Sequence, residues 1–142
     1  AEVCVASRLA DVFTGLDRCE HLLQEATVPP SLRGDMRLVL EELMVNTIEY
    51  GYPDGGAGQI RVLLQPRPDD VTVELTDDGV AFDPLQSVCP NLPGDLADRE
   101  QIGGLGIHLA RTVTSEMRYT RDAHGNHLLL RFIYPNQNGS SS

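Results

Sequence analysis

The sequence predicts an α+β sandwich, with helices packed on one face of a mixed, mostly antiparallel sheet. Three observations predict it. Two stretches near the start carry apolar residues at helical spacing, and several short segments are rich in β-branched and alternating apolar residues. The later segments come in pairs joined by turn-forming residues, not by crossover helices. The order reads β-α-α-β-β-loop-α-β-β, so strands outnumber the crossovers that could make them parallel.

Each element has its own signal. Val3 and Val5 alternate with other residues in a short edge-strand candidate. From Leu9 to about Ala26, the residues Leu9, Val12, Phe13, Leu16, Cys19, Leu22 and Leu23 recur at helical spacing; these positions could serve a core or a dimer partner equally well. Pro29 and Pro30 end that helix, and Ser31 has the chemistry of an N-cap for the next. In the second helix Leu32, Met36, Val39, Leu40, Leu43 and Ile48 mark the buried side, and Gly51 with the turn residues that follow ends it. Strands follow at 59–65 and 71–76, joined through Pro66 to Asp70 as a hairpin. Residues 83–102 carry Pro84, Pro90 and Pro93 and little apolar period, which reads as a long irregular loop, functional or disordered. A helix from about Leu105 to Met117 leads into a strand at 117–121, a turn at 122–126 and a last strand, His127 to Tyr134. One domain therefore spans residues 1–135, and 136–142 read as a disordered tail.

At 142 residues and 41% apolar content the chain has material for a real core. No apolar run approaches the ~18 residues that span a bilayer. Three scattered cysteines, Cys4, Cys19 and Cys89, offer no metal framework and fit buried free thiols in a reducing cytoplasm. The formal charge is −10, with eleven arginines and no lysine. Such a surface repels nucleic-acid backbones and anionic lipid, so neither is expected as a partner, while a basic protein partner is permitted. The missing lysine also excludes a P-loop, whose lysine must reach the phosphates.

Three short motifs carry chemistry. Glu42 and Asn46, four apart, share one face of the second helix, with Glu49 a further turn along. Asn in a helix interior wants a hydrogen bond or ligand, and its amide oxygen suits Mg²⁺ beside phosphate oxygens. Glu42 could then take a proton from a hydroxyl or water attacking a γ-phosphate. Taken alone, the segment reads more readily as a solvated acidic face. Asp77, Asp78 and Gly79 close a strand, where a carboxylate can accept from the exocyclic amine of adenine and glycine admits the base closely; alone, this is a common turn. Gly103, Gly104, Leu105 and Gly106 enter a helix with more glycine than packing needs, and their N–H groups at a positive helix end can bind phosphate without lysine. The loop before them then reads as a lid. His124 and His127 read as turn and strand residues, and His21 and His108 as lone structural histidines.

Together these segments resemble the N, G1 and G2 boxes of the Bergerat-fold, histidine-kinase-like (GHKL) ATPases. They are most similar to the bacterial anti-sigma-factor serine/threonine-protein kinases of the RsbW/SpoIIAB type. The resemblance runs over Glu42 to Tyr52, Asp77 to Asp83 and Gly103 to Leu109, in the family's order. It implies a five-stranded sheet backed by three helices, with ATP or ADP and Mg²⁺ as cofactors. By the same resemblance Asn46 holds Mg²⁺, Glu42 is the catalytic base and Asp77 reads adenine. Gly79 lines the base, and Gly104, Leu105 and Gly106 form the phosphate cradle under a mobile lid. Such proteins phosphorylate a serine on an anti-sigma-factor antagonist, sequester a sigma factor in partner-switching transcription regulation, and are commonly homodimers. Three positions depart from the pattern: Ala81 replaces a second glycine, Tyr50 stands where many relatives carry histidine, and Asn126-His127 replaces a threonine on the adenine side. The alternatives are a non-catalytic nucleotide-binding anti-sigma module, or a regulatory kinase-like domain excised from a larger signalling protein, which the start without Met allows.

Overall fold

Strand alternation and helical periodicity converge on one apolar layer in the computed structural model, which describes residues 1–53, 55, 57–84 and 108–134. The elements are β1 (Glu2–Ala6), α1 (Leu9–Glu25), α2 (Pro30–Asn46), a π-helical turn (Thr47–Gly51), β2 (Gln59–Pro66) and β3 (Asp70–Asp77). A short helix at 108–113 precedes β4 (Thr114–Asp122) and β5 (Gly125–Ile133). The five strands lie in the order β1-β2-β3-β5-β4. The sheet expected to be mostly antiparallel is antiparallel at every described pairing.

One face of that sheet is buried. Val3, Val5, Ile60, Val62, Leu64, Val71, Val73, Leu75, Leu128, Leu130 and Phe132 point to the helices and meet Val12, Leu16, Cys19 and Leu23 of α1 and Met36, Val39, Leu40, Leu43 and Met44 of α2. Ala110 of the short helix joins the same core. Each fully buried aliphatic side chain of this kind contributes about 1.5–3 kcal/mol. The residues between them, among them Arg61, Thr76 and Arg131, face the polar side. Arg37 of α2 ties the two long helices together through Asp17 at 2.8 Å and Glu20 at 2.9 Å. Among the described residues no helix is long and apolar enough to cross a membrane.

Four local expectations change. The second helix starts at Pro30, not after Ser31; Pro29 takes the N-cap position without a side-chain cap. Proline's fixed φ and missing N–H suit it to the first helical turn. The late helix gives way to strand at Thr114, where the pattern read on to Met117, because pairing of β4 with β5 begins at Thr114↔Phe132. Cys19 is buried, but Cys4 is exposed: with Val3 and Val5 inward, strand alternation turns it outward. Burial pushes the Cys19 thiol up to about 11. On α1 Leu9 and Phe13 stay exposed while Val12, Leu16, Cys19 and Leu23 pack inward. Residues 85–102 of the expected loop and the expected tail at 136–142 lie outside the described residues.

The expected hairpin joins β2 to β3, and a buried carboxylate locks its base. Asp70 accepts from Arg67 at 2.7 and 3.0 Å and from Arg131 of β5 at 2.6 Å. These guanidinium groups, Arg67 first, hold the Asp70 carboxyl below the usual range. An Asp70→Asn variant should lose about 1 kcal/mol, since the arginine partners are half-exposed and solvent screens them. A group held low in the folded state stabilises above about pH 4, and that contribution disappears as pH falls through the lowered value. The gap between wild type and variant in urea midpoints should therefore be present at pH 7 and close in acid.

Candidate functional site

Helix α2 delivers Glu42 and Asn46 to the same end of the sheet as the last residue of β3. Their i, i+4 spacing puts both on one helix face, and Glu42 is half-buried there. Asn46 is only 8% exposed. No described residue hydrogen-bonds its side-chain amide. Its amide atoms are not sealed from solvent, so they stay open to a ligand from that side. A hard cation beside phosphate oxygens is the partner its carbonyl oxygen suits.

Beyond Asn46 the helix widens into the π turn at Thr47–Gly51, a local form that recurs at functional sites. It brings Gly51 against the end of β3. The Val80 N–H donates to the Gly51 carbonyl at 2.8 Å. A Cβ on Gly79 would lie 2.5 Å from that same carbonyl oxygen, so glycine is required for the two main chains to touch. A Cβ on Gly51 would in turn stand 3.7 Å from Asp77 Oδ1. The segments that follow the motifs at 42–46 and 77–79 are thus joined backbone to backbone, Gly51 to Val80.

Two hydrogen bonds fix the Asp77 side chain. Its Oδ1 accepts from the Gly79 N–H at 2.9 Å and from Asn126 Nδ2 at 2.9 Å. Its Oδ2 takes no partner among the described residues. Burial raises the Asp77 carboxyl, while the bonds from Asn126 and Gly79 and the charge of Arg121 oppose that rise. Asn126 faces Asp77 because β3 and β5 pair in the register Asp77↔Asn126. Gly125 packs on the same strand end, with a hypothetical Cβ only 1.9 Å from the Asp77 carbonyl oxygen.

Neighbouring groups hold the loop after Asp77. Tyr52 donates its hydroxyl to Asp78 Oδ1, which also accepts from the Gln59 N–H at 3.2 Å. The Tyr52 bond holds Asp78 below the usual carboxylate range, and burial followed by that bond raises the phenol. Tyr50 stacks on Phe82 with centroids 4.9 Å apart. A groove of about 160 Å³ lined by Gln59, Arg61, Thr76, Asp77, Asp78 and His124 opens at this sheet end. Arg61 and Thr76 place it on the face opposite the helices.

Four expected site residues are therefore described, and their elements meet: Glu42, Asn46, Asp77 and Gly79. Gly104, Leu105 and Gly106 lie outside the described residues. Gly79 is tight against Gly51 on the side where a Cβ would stand. Sequence reasoning gave no site role to Gly125, Tyr119 or Arg121, saw Gly51 only as a helix stop, and saw Asn126 only as a turn residue and a departure. His124 and His127 occupy a turn and a strand as expected.

A family model described as the histidine kinase-like ATPase domain matches residues 5–132. The serine/threonine-protein kinase BtrW of Bordetella bronchiseptica is 30% identical over 111 residues, which cover 78% of each chain. The serine-protein kinase RsbW of Listeria innocua is 24% identical over 106 residues, 72% of this chain and 68% of that protein. The SiaB–SiaC complex from Pseudomonas aeruginosa superposes with a TM-score of 0.59 at 19% identity, over 92% of this chain and 88% of that one. A blue-light activated histidine kinase of Erythrobacter litoralis gives 0.58 at 17% identity, over 90% of this chain and 43% of that longer one. At these identities the structural likeness shows the fold.

Proposed function

Because the chain belongs to the histidine kinase-like ATPase domain family, we propose that it is an ATP-dependent serine-protein kinase. Its protein substrate is an anti-sigma-factor antagonist, and it sequesters a sigma factor by partner switching, working as a homodimer. The observation that carries the ATP site is the Asn46 amide, bonded by no described residue and open to a ligand, one helical turn from Glu42 and joined through Gly51 to Asp77. The relatives named as serine kinases, at 24–30% identity, support the reaction class.

In this reading Asn46 would hold Mg²⁺, which when bound spreads the charge of the β- and γ-phosphates. Asp77 Oδ2 accepts from the adenine amine, and Gly104, Leu105 and Gly106 cradle the phosphates. The substrate serine oxygen bonds to the γ-phosphorus as the bond from that phosphorus to the ADP oxygen breaks. Glu42 takes the serine proton as this happens. ADP and phosphoserine result.

Thermal unfolding with Mg-ATP and Mg-ADP tests the site. Nucleotide at ~100 times its Kd should stabilise by about 2.7 kcal/mol, a shift of several degrees. Asp77→Asn should abolish the shift, since the amide can turn an N–H toward the adenine amine. No shift in the wild type would remove the nucleotide reading. A shift without any phosphate reaching a partner serine would leave a nucleotide-holding anti-sigma module.

A further inference from the structure

Asn126 is 5% exposed and its amide is fully used. Its Oδ1 accepts from the Tyr119 hydroxyl, from Arg121 Nη1 at 2.9 Å and from the Phe82 N–H at 3.4 Å. Its Nδ2 donates to Asp77 Oδ1 at 2.9 Å and to the Val80 carbonyl at 2.8 Å. Three donors on one side and two acceptors on the other fix which way the amide points. Turned over, its NH₂ would face the Arg121 guanidinium, and its oxygen would face a carboxylate. Arg121 also donates to the Gly79 carbonyl at 3.1 Å, so one guanidinium braces both the amide and the loop.

We propose that Asn126, oriented by Tyr119 and Arg121, is the positioning residue that sets base selectivity in this chain. It clamps Asp77 Oδ1 so that Oδ2 alone is offered to the base as an acceptor. Both Asn126 amide protons are spent on Asp77 and Val80, so the residue itself has no donor left for a base. A 6-amino purine finds an acceptor at this point; a 6-oxo purine finds an oxygen facing its oxygen. Without the clamp, Asp77 can rotate away from a 6-oxo group, and the penalty against that base falls. This inference rests on the nucleotide reading given above.

The test is calorimetric titration of the whole chain with Mg-ATP and with Mg-ITP, whose base carries an oxo group in place of the amine. A site built around one hydrogen bond rejects the mismatched ligand strongly, so the wild type should favour ATP by ~100-fold or more. Asn126→Ala should cut the ATP:ITP ratio by at least ~10-fold. Arg121→Met, an exposed position on β4, should cut it by about threefold through loss of the brace. A folded Asn126→Ala protein with the wild-type ratio overturns the proposal, as does an equal loss of ATP and ITP affinity, which a purely structural role would give. Should Asn126→Ala fail to fold, Arg121→Met decides: an unchanged ratio overturns the proposal. A wild type that binds neither nucleotide overturns the site itself, a result distinct from equal ratios among binding proteins.

Discussion

A Glu42→Gln variant is expected to bind Mg-ATP as the wild type does and to transfer its γ-phosphate about 10²–10⁴-fold more slowly. Glutamine has the same shape and nearly the same helix propensity, so α2 and the Asn46 position should be kept. What it lacks is basicity: the amide cannot take the serine proton. Glu42 sits one helical turn before an amide open to a cation, where such a proton acceptor would be needed. Single-turnover transfer to the partner serine, run beside calorimetric ATP binding, separates the two effects. Transfer at the wild-type rate would strip Glu42 of its role as base and leave the nucleotide site intact.

The largest effect on stability is expected from Gly125→Ala. Gly125 has φ +134°, a conformation that L side chains rarely adopt. Its added Cβ would also lie 1.9 Å from the Asp77 carbonyl oxygen and 3.1 Å from the Asp78 Cα. Both obstacles are main chain, so neither can swing aside. Strain of roughly 1–2 kcal/mol and overpacking of about 1–3 kcal/mol add to ~3 kcal/mol or more, a large part of a small domain's stability. Gly34, where an added Cβ would meet nothing within 4 Å, is the natural reference: its change to Ala in mid-helix should gain up to ~1 kcal/mol. Urea unfolding of the two proteins gives the contrast. Equal midpoints would mean that the turn before β5 relaxes freely and does not hold Asp77.

How much of this was legible depends on the range over which each signal acts. Helical spacing from Val12 to Leu23 and from Leu32 to Leu43 marked the inward faces of α1 and α2, because those contacts repeat along one element, while Leu9 and Phe13 share the spacing and stay exposed. The pairing of β2 with β3 was legible for the same reason, from alternation plus a proline- and aspartate-rich turn. The end of the late helix was not. Met117 continues the helical spacing, and only pairing with β5, more than ten residues on, draws Thr114 into the sheet. Asn46 could be singled out as a polar residue in a helix, yet its lack of a partner is visible only with its surroundings. The bonds from Asn126 to Asp77 and from Val80 to Gly51 cross 49 and 29 positions of sequence. No local pattern reports contacts of that span. Gly79 illustrates the limit: a glycine after Asp-Asp announces a close approach, but not what approaches.

The π turn at Thr47–Gly51 has a consequence for how the domain could change. An α-helix advances about 100° per residue, so a single residue more or less rotates everything downstream by that angle. A π turn is one residue wider than an α turn. Losing one residue from this segment would restore ordinary winding and leave Glu42 and Asn46 where they are. The Gly51 carbonyl would then swing away from Val80, uncoupling the phase of the helix from that of the sheet. One backbone residue thus works as an angular offset between two halves of the domain, and length variation here should be tolerated far less than in the hairpin at 66–70.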